Sequence, residues 1–115
     1  MIRLWIEDGT LAATKAPKPR RKKGQALLKL LRGGICNTDL ELLRGYYGFK
    51  GQPGHEFVAE VVAAGDKSWV GKRVVGGINL ACGKCVYCGE GMGRHCAERT
   101  VLGIVKHPGA FAEYF

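Results

Sequence analysis

Cys82, Cys85, Cys88 and Cys96 are separated by two, two and seven residues, and Gly83, Gly89, Gly91 and Gly93 lie among them. Four thiolates at such spacing can close around one zinc ion as a tetrahedron with bonds of ~2.3 Å, and the glycines permit the tight turns that bring the sulfurs together. A closed shell leaves no position for water or substrate, so its role is structural. Such binding can contribute on the order of 10 kcal/mol to a stretch as poor in apolar residues as 81–99. A disulfide framework is disfavoured because nothing indicates secretion, and an iron–sulfur cluster would ordinarily want a shorter final gap followed by proline. His95 adjoins Cys96, but with four sulfurs filling the shell it reads as a surface or capping residue. Gly89-Glu90-Gly91-Met92-Gly93 looks superficially like a dinucleotide loop, but Arg94 follows and no strand precedes it within a βαβ unit.

A second group is looser. The fifth cysteine, Cys36, lies in Gly34-Ile35-Cys36-Asn37-Thr38-Asp39, and His55 lies in Gly54-His55-Glu56-Phe57. Each segment sets a metal-ligand residue beside a glycine and a carboxylate, the raw material of a metal site with supporting hydrogen bonds. Taken alone, Cys36 is more often a small packed hydrophobe and Thr38 is equally a helix cap.

The elements that must position these residues are short. Ile2, Leu4 and Ile6 alternate with polar partners, turn at Asp8-Gly9 and return through Thr10–Thr14, which predicts a hairpin. The apolar run 26–31, between Gly24 and Gly33-Gly34, predicts a buried strand. Thr38 or Asn37 can cap a short helix over Asp39–Arg44, with Gly45 at its C-terminal end. A glycine-rich loop from Tyr46 to Pro53 precedes a strand over 55–62. Further strands are expected at 70–75, 101–105 and 109–115. The organisation is one mainly β domain, 1–115, with an inserted metal lobe at 81–99 and no internal repeat.

Composition agrees with one modest globular domain: 115 residues, 46% hydrophobic and 24% charged. Eighteen glycines, about twice the usual share, favour turn-rich β structure. Charge begins at Arg3, too early for a signal peptide, and no apolar run reaches membrane-spanning length, so a soluble cytoplasmic protein is expected. The formal charge is +8; four thiolates and a divalent ion would lower it to about +6. Lys15, Lys18, Arg20, Arg21, Lys22 and Lys23 cluster around Pro17 and Pro19. That stretch reads first as a solvated extended loop, and nucleic-acid contact is disfavoured because no aromatic residue interleaves with the cations.

In this order and at these separations, Gly34–Asp39, Gly54-His55-Glu56, Gly71-Lys72-Arg73-Val74, the four cysteines and Gly109-Ala110-Phe111-Ala112-Glu113-Tyr114 span nearly the whole chain. Together they resemble the amino-terminal catalytic domain of the zinc-dependent medium-chain alcohol dehydrogenases, which include threonine and sorbitol dehydrogenase-like enzymes. The resemblance implies a GroES-like, partly open β-barrel with a short helix and an inserted four-cysteine zinc lobe. It also implies a catalytic zinc held by Cys36 and His55. Thr38 would hydrogen-bond the substrate hydroxyl, Asp39 would orient the His55 imidazole, and Glu56 would sit near the metal as a supporting or transient ligand. Two positions depart from the pattern: Glu41 stands where many relatives carry a relay histidine, and Asn37 where some place a basic residue contacting cofactor phosphate.

In such relatives the third catalytic-zinc ligand, a Cys or Glu, and the dinucleotide fold lie downstream of position 115. No cofactor-binding residue is therefore expected within the chain. The expected function is the catalytic portion of an NAD- or NADP-dependent alcohol or polyol dehydrogenase acting on a small alcohol or carbonyl substrate, inactive by itself. Metal analysis is expected to find one tightly held zinc and little at Cys36 and His55; two would mean that a residue within the chain, Glu56 first, completes the second site. A homo-oligomer is compatible with the sequence, and membrane association is not expected. The rival readings are a stand-alone zinc-braced binding module using the basic loop 15–23, and a structural remnant associating through an open barrel edge.

Overall fold

The computed structural model describes all 115 residues. The alternating amino terminus forms a hairpin of β1 (Ile2–Glu7) and β2 (Thr10–Lys15), paired in unbroken antiparallel register from Ile2↔Lys15 to Glu7↔Thr10. Asp8 and Gly9 both take positive φ, 49° and 71°, as a two-residue turn matched to the twist of its strands requires. A second sheet pairs β3 (Leu27–Gly34) antiparallel with β4 (Glu56–Ala63), with register shifts at Leu27/Leu28 and Leu30/Arg32. β5 (Arg73–Val74) joins it opposite Ala59 and Glu60. Ala59 and Val61 of β4 face inward and meet a small core that includes Ile6, Leu42, Leu102, Ala110 and Ala112, all buried. Leu42 comes from α1 (Asn37–Leu43), which connects β3 to the approach to β4.

The third sheet consists of β6 (Asn79–Leu80), β7 (Thr100–Leu102) and β8 (Lys106–His107). β6 pairs antiparallel and β8 parallel to β7. The cysteine stretch lies between β6 and β7 and carries one helical turn, α2 (Val86–Gly89), and a 3-10 turn at Gly93–His95. No ladder joins this sheet to the other two. The architecture is mainly β, without a closed barrel.

Residues 111–115 close the first two sheets together. They form isolated bridges, Arg3↔Ala112 and Lys29↔Tyr114, instead of the continuous strand expected at 109–115. The segment still bonds on both sides: Leu4 N–H donates to Phe111 O (2.8 Å) and Glu113 N–H to Ile2 O (3.1 Å) along β1. Along β3, Leu28 and Phe115 exchange bonds of 2.9 and 3.0 Å.

Three other expectations shift. The strand expected at 70–75 shrinks to β5, because a 3-10 turn at Lys67–Trp69 is followed by Gly71 at φ +85°. The strand expected at 101–105 ends at Leu102, where Gly103 (φ +66°) starts the reversal into β8. The helix begins at Asn37 with Cys36 as its N-cap, so neither Thr38 nor Asn37 caps it.

Candidate metal centres

In the lobe, the Sγ atoms of Cys82, Cys85, Cys88 and Cys96 all lie within 4.8 Å of one another. Cys82–Cys88 and Cys85–Cys88 are 3.9 and 3.5 Å apart. A tetrahedral zinc with bonds of ~2.3 Å has sulfur–sulfur edges of about 3.8 Å, whereas a disulfide holds its sulfurs at about 2.05 Å. All five cysteines are free. The donor set and its spacing therefore fit zinc and not a disulfide framework. Backbone supports the charge: Lys84 N–H points to Cys82 Sγ (3.5 Å) and Cys82 N–H to Cys96 Sγ (3.4 Å). The Cys82 thiol is lowered to about 6, first by the Lys84 N–H and further by Cys85 N–H and neighbouring thiols. Desolvation, with the neighbouring thiols adding to it, pushes Cys88 up to about 11. A divalent ion held among the four sulfurs would favour their thiolate forms. His95 is exposed and packs its ring 6.2 Å from that of Tyr87.

The second group is assembled by one carboxylate. Asp39, buried in the first turn of α1, accepts Cys36 N–H at Oδ2 (2.9 Å) and Gly54 N–H at Oδ1 (3.3 Å). It thereby ties the cap of α1 to the entry of β4, and so sets Cys36 and His55 at a fixed separation. The same Oδ1 lies 3.5 Å from Nδ1 of His55. His55 is 7% exposed, and its Nδ1 is the one buried side-chain polar atom without a hydrogen-bond partner. Facing a carboxylate with Nδ1 leaves Nε2 as the nitrogen for ligation, the usual arrangement of a metal-bound imidazole. Cys36, His55 and Glu56 offer ligand atoms within 4.8 Å of one another. A thiolate, an imidazole and a carboxylate suit zinc, so the residues fit a second ion.

Glycines shape this site at two positions. Gly34 sits opposite Glu56 in the β3–β4 ladder, and a Cβ there would stand 2.7 Å from the Glu56 carboxylate. Gly54 has φ +99°, and a Cβ would meet the Phe111 ring at 2.5 Å. Phe111 N–H donates to Pro53 O (3.0 Å) and Ala110 N–H to Gly54 O (2.8 Å), so residues 109–111 press the turn before His55 into place.

Thr38 Oγ1 lies 3.6 Å from Cys36 Sγ, beside the same group. Glu41 instead pairs with Arg44 (2.7 Å) on the surface of α1, and Asn37 is exposed. Sequence reasoning missed Gln52, a buried amide that donates to Gly109 O and helps anchor the turn. Its flanking Gly51 and Pro53 suggested only a loop. It also missed Phe111 as the lid over Gly54, since nothing in its local sequence distinguishes it from a strand residue. No helix is long and apolar enough to cross a membrane.

The family of alcohol dehydrogenase GroES-like domains matches residues 22–115. Among characterised proteins, a D-altritol 5-dehydrogenase of Agrobacterium fabrum is 35% identical, over 96% of this chain and 34% of its own length. An L-threonine 3-dehydrogenase of Streptomyces avermitilis is 41% identical, over 96% of this chain and 33% of its own. The chain thus spans about a third of the length of these relatives. Among solved structures, one titled a short chain alcohol dehydrogenase from E. coli CFT073, complexed with NADH, superposes with TM-score 0.89 at 30% identity. The match covers all of this chain and 35% of that one. The alcohol dehydrogenase TADH from Thermus sp. ATN1 superposes with TM-score 0.87 at 31% identity, covering all of this chain and 36% of that one.

Proposed function

This chain belongs to the alcohol dehydrogenase GroES-like domain family, and from that premise we propose that it is the catalytic-domain portion of a zinc-dependent NAD(P) alcohol or polyol dehydrogenase. The observation that carries the reading is the Asp39 carboxylate, which fixes Cys36, Gly54 and the His55 imidazole in one arrangement. Cys36 and His55 would hold the catalytic zinc, with Glu56 as the carboxylate at hand for it. A zinc held there would supply Lewis-acid polarisation of an alcohol or carbonyl oxygen, the chemistry that favours hydride exchange with a nicotinamide.

The chain's own residues have separate tasks. Asp39 faces Nδ1 of the imidazole at 3.5 Å and would orient the ring with Nε2 toward the ion, raising its basicity there. The Thr38 hydroxyl, beside Cys36 Sγ, would hydrogen-bond the substrate hydroxyl and begin the proton relay. Glu41 is turned into its ion pair with Arg44, so the onward path does not run through it. Cys82, Cys85, Cys88 and Cys96 would hold a zinc that braces the lobe at 81–99. Five free thiols favour a reducing compartment, which we take to be the cytosol.

The chain spans about a third of the length of its relatives, and we assign the NAD or NADP site of the whole enzyme to the part of such relatives that this chain does not match. Steady-state assay of the purified chain with threonine, polyols and NAD or NADP tests this: no turnover is expected, and cofactor-dependent turnover would overturn it. In a protein that joins this domain to a dinucleotide-binding domain, Cys36→Ser should abolish activity while the lobe retains its zinc.

A further inference from the structure

We propose that the free edge of β2 pairs with β2 of a second copy of this chain, antiparallel about a two-fold axis at Ala12. β2 is an end strand: β1 lies on one side of it, and residues 111–115 join β1 to β3 beyond. Met1 and Ala16 exchange main-chain hydrogen bonds of 2.8 and 2.9 Å, which sets the alternation of the β1–β2 ladder. Thr10, Ala12 and Thr14 therefore bond inward to β1. The N–H and C=O groups of Leu11, Ala13 and Lys15 point outward and bond to no other backbone.

Nothing guards this edge. The register from Ile2↔Lys15 to Glu7↔Thr10 is unbroken, so no bulge twists the strand away, and Thr10–Thr14 contains neither proline nor charge. Leu11 stands on the face of the sheet that carries Ile6, its cross-strand partner, yet Leu11 is 46% exposed and Ile6 2%. The apolar face thus runs past the last strand, and one more strand would cover it.

Charge and size select a second copy as that strand. Asp8 at the turn and Lys15 at the other end of β2 are both exposed, and neither has an ion-pair partner. An antiparallel copy centred on Ala12 sets Asp8 of each chain beside Lys15 of the other, and keeps the two Lys15 residues about 20 Å apart. A parallel copy would set Lys15 against Lys15. At the axis Ala12 faces Ala12 in the closer, non-hydrogen-bonded kind of pair, at about 4.5 Å, which methyl groups fill without a clash. Each Leu11 then faces Ala13 of the other copy, exchanging both main-chain hydrogen bonds with it, and the two Leu11 side chains meet diagonally on one face.

The test is sedimentation velocity of the zinc-loaded chain from about 1 to about 200 µM, with the dimer dissociation constant as the readout. A monomer–dimer equilibrium within that range is expected. Ala13→Pro removes an outward N–H and leaves the bonds to β1 in place, so it should weaken dimerisation about 10- to 100-fold. Leu11→Lys, which puts a charge on the edge, should weaken it by about 10-fold or more. Asp8→Asn keeps a residue that suits the turn and should weaken it about 3-fold at roughly 50 mM salt and less at roughly 500 mM. Unchanged zinc content and circular dichroism would show that the variants are folded. A chain that stays monomeric throughout, a dimer that Ala13→Pro and Leu11→Lys leave equally tight, an Asp8→Asn dimer as tight as the wild type at low salt, or association that continues past the dimer would each overturn the proposal. Dehydrogenase chemistry does not enter the readout, so its failure and the failure of the functional reading are separate.

Discussion

A carboxylate that accepts from two backbone segments fixes the distance between them, and Asp39 does this for Cys36 and Gly54 while facing His55. An amide in its place would turn an NH2 group toward one of those N–H donors. Asp39→Asn should therefore weaken cobalt(II) binding at Cys36 and His55 by about 10- to 100-fold, read from the thiolate-to-cobalt absorption, and leave the four-cysteine ion in place. Equal affinity in the variant would remove Asp39 from the site. Cys96 is the most buried of the four lobe sulfurs. Cys96→Ser should lower the bound zinc by one ion per chain in elemental analysis and lower the melting temperature with it. These residue types were legible in the sequence because zinc needs particular donors at particular spacings. The resemblance already set Asp39 toward His55, but its bond to Gly54 was not legible, because the glycine-rich loop after α1 follows a path that no periodicity describes.

At the scale of elements, the turn into β4 depends on what its neighbours do not carry. Gly54→Ala would need positive φ with a side chain and would drive Cβ into Phe111. A loss of about 2 kcal/mol or more is expected in urea unfolding of the zinc-loaded protein. Gly77→Ala, where nothing lies within 4 Å, should stay within about 0.5 kcal/mol. Gly34→Ala should act differently again, displacing the Glu56 carboxylate and so weakening the second metal site more than the fold. Hairpin β1–β2 could be foreseen because Asp8-Gly9 is a local signal. The parallel pairing of β7 with β8 could not, since a reversal within three residues depends on Gly103 and Lys106 both taking positive φ.

For the whole molecule, only 15 of 115 residues are buried, and Ile35, Val75 and Val86 are each 74% exposed. So thin a core leaves much of the cohesion of residues 81–99 to the metal. Removing zinc with a chelator should unfold that lobe, with a loss on the order of 10 kcal/mol in metal-linked stability and faster amide exchange over 81–99, while exchange in β3 and β4 changes only slightly. Uniform protection before and after chelation would contradict the bracing role. The family pattern was readable along the chain because its chemistry is local, whereas the open arrangement of three small sheets is a product of long-range pairing that composition does not encode.

Residues 111–115 lie between β1 and β3, so β1 is completed by a segment far along the chain, with Glu113 bonded to Ile2 across 111 positions. During synthesis at about 5–20 residues per second, the outer edge of β1 at Ile2 and Leu4, beyond the Ile6–Gly51 bridge, therefore stays unpaired for roughly 5–20 s after the hairpin has emerged. Folding must wait for that closure, which makes the rate sensitive to chain topology more than to local propensity. The same interval leaves an early strand edge open to a chaperone or to a neighbouring nascent chain.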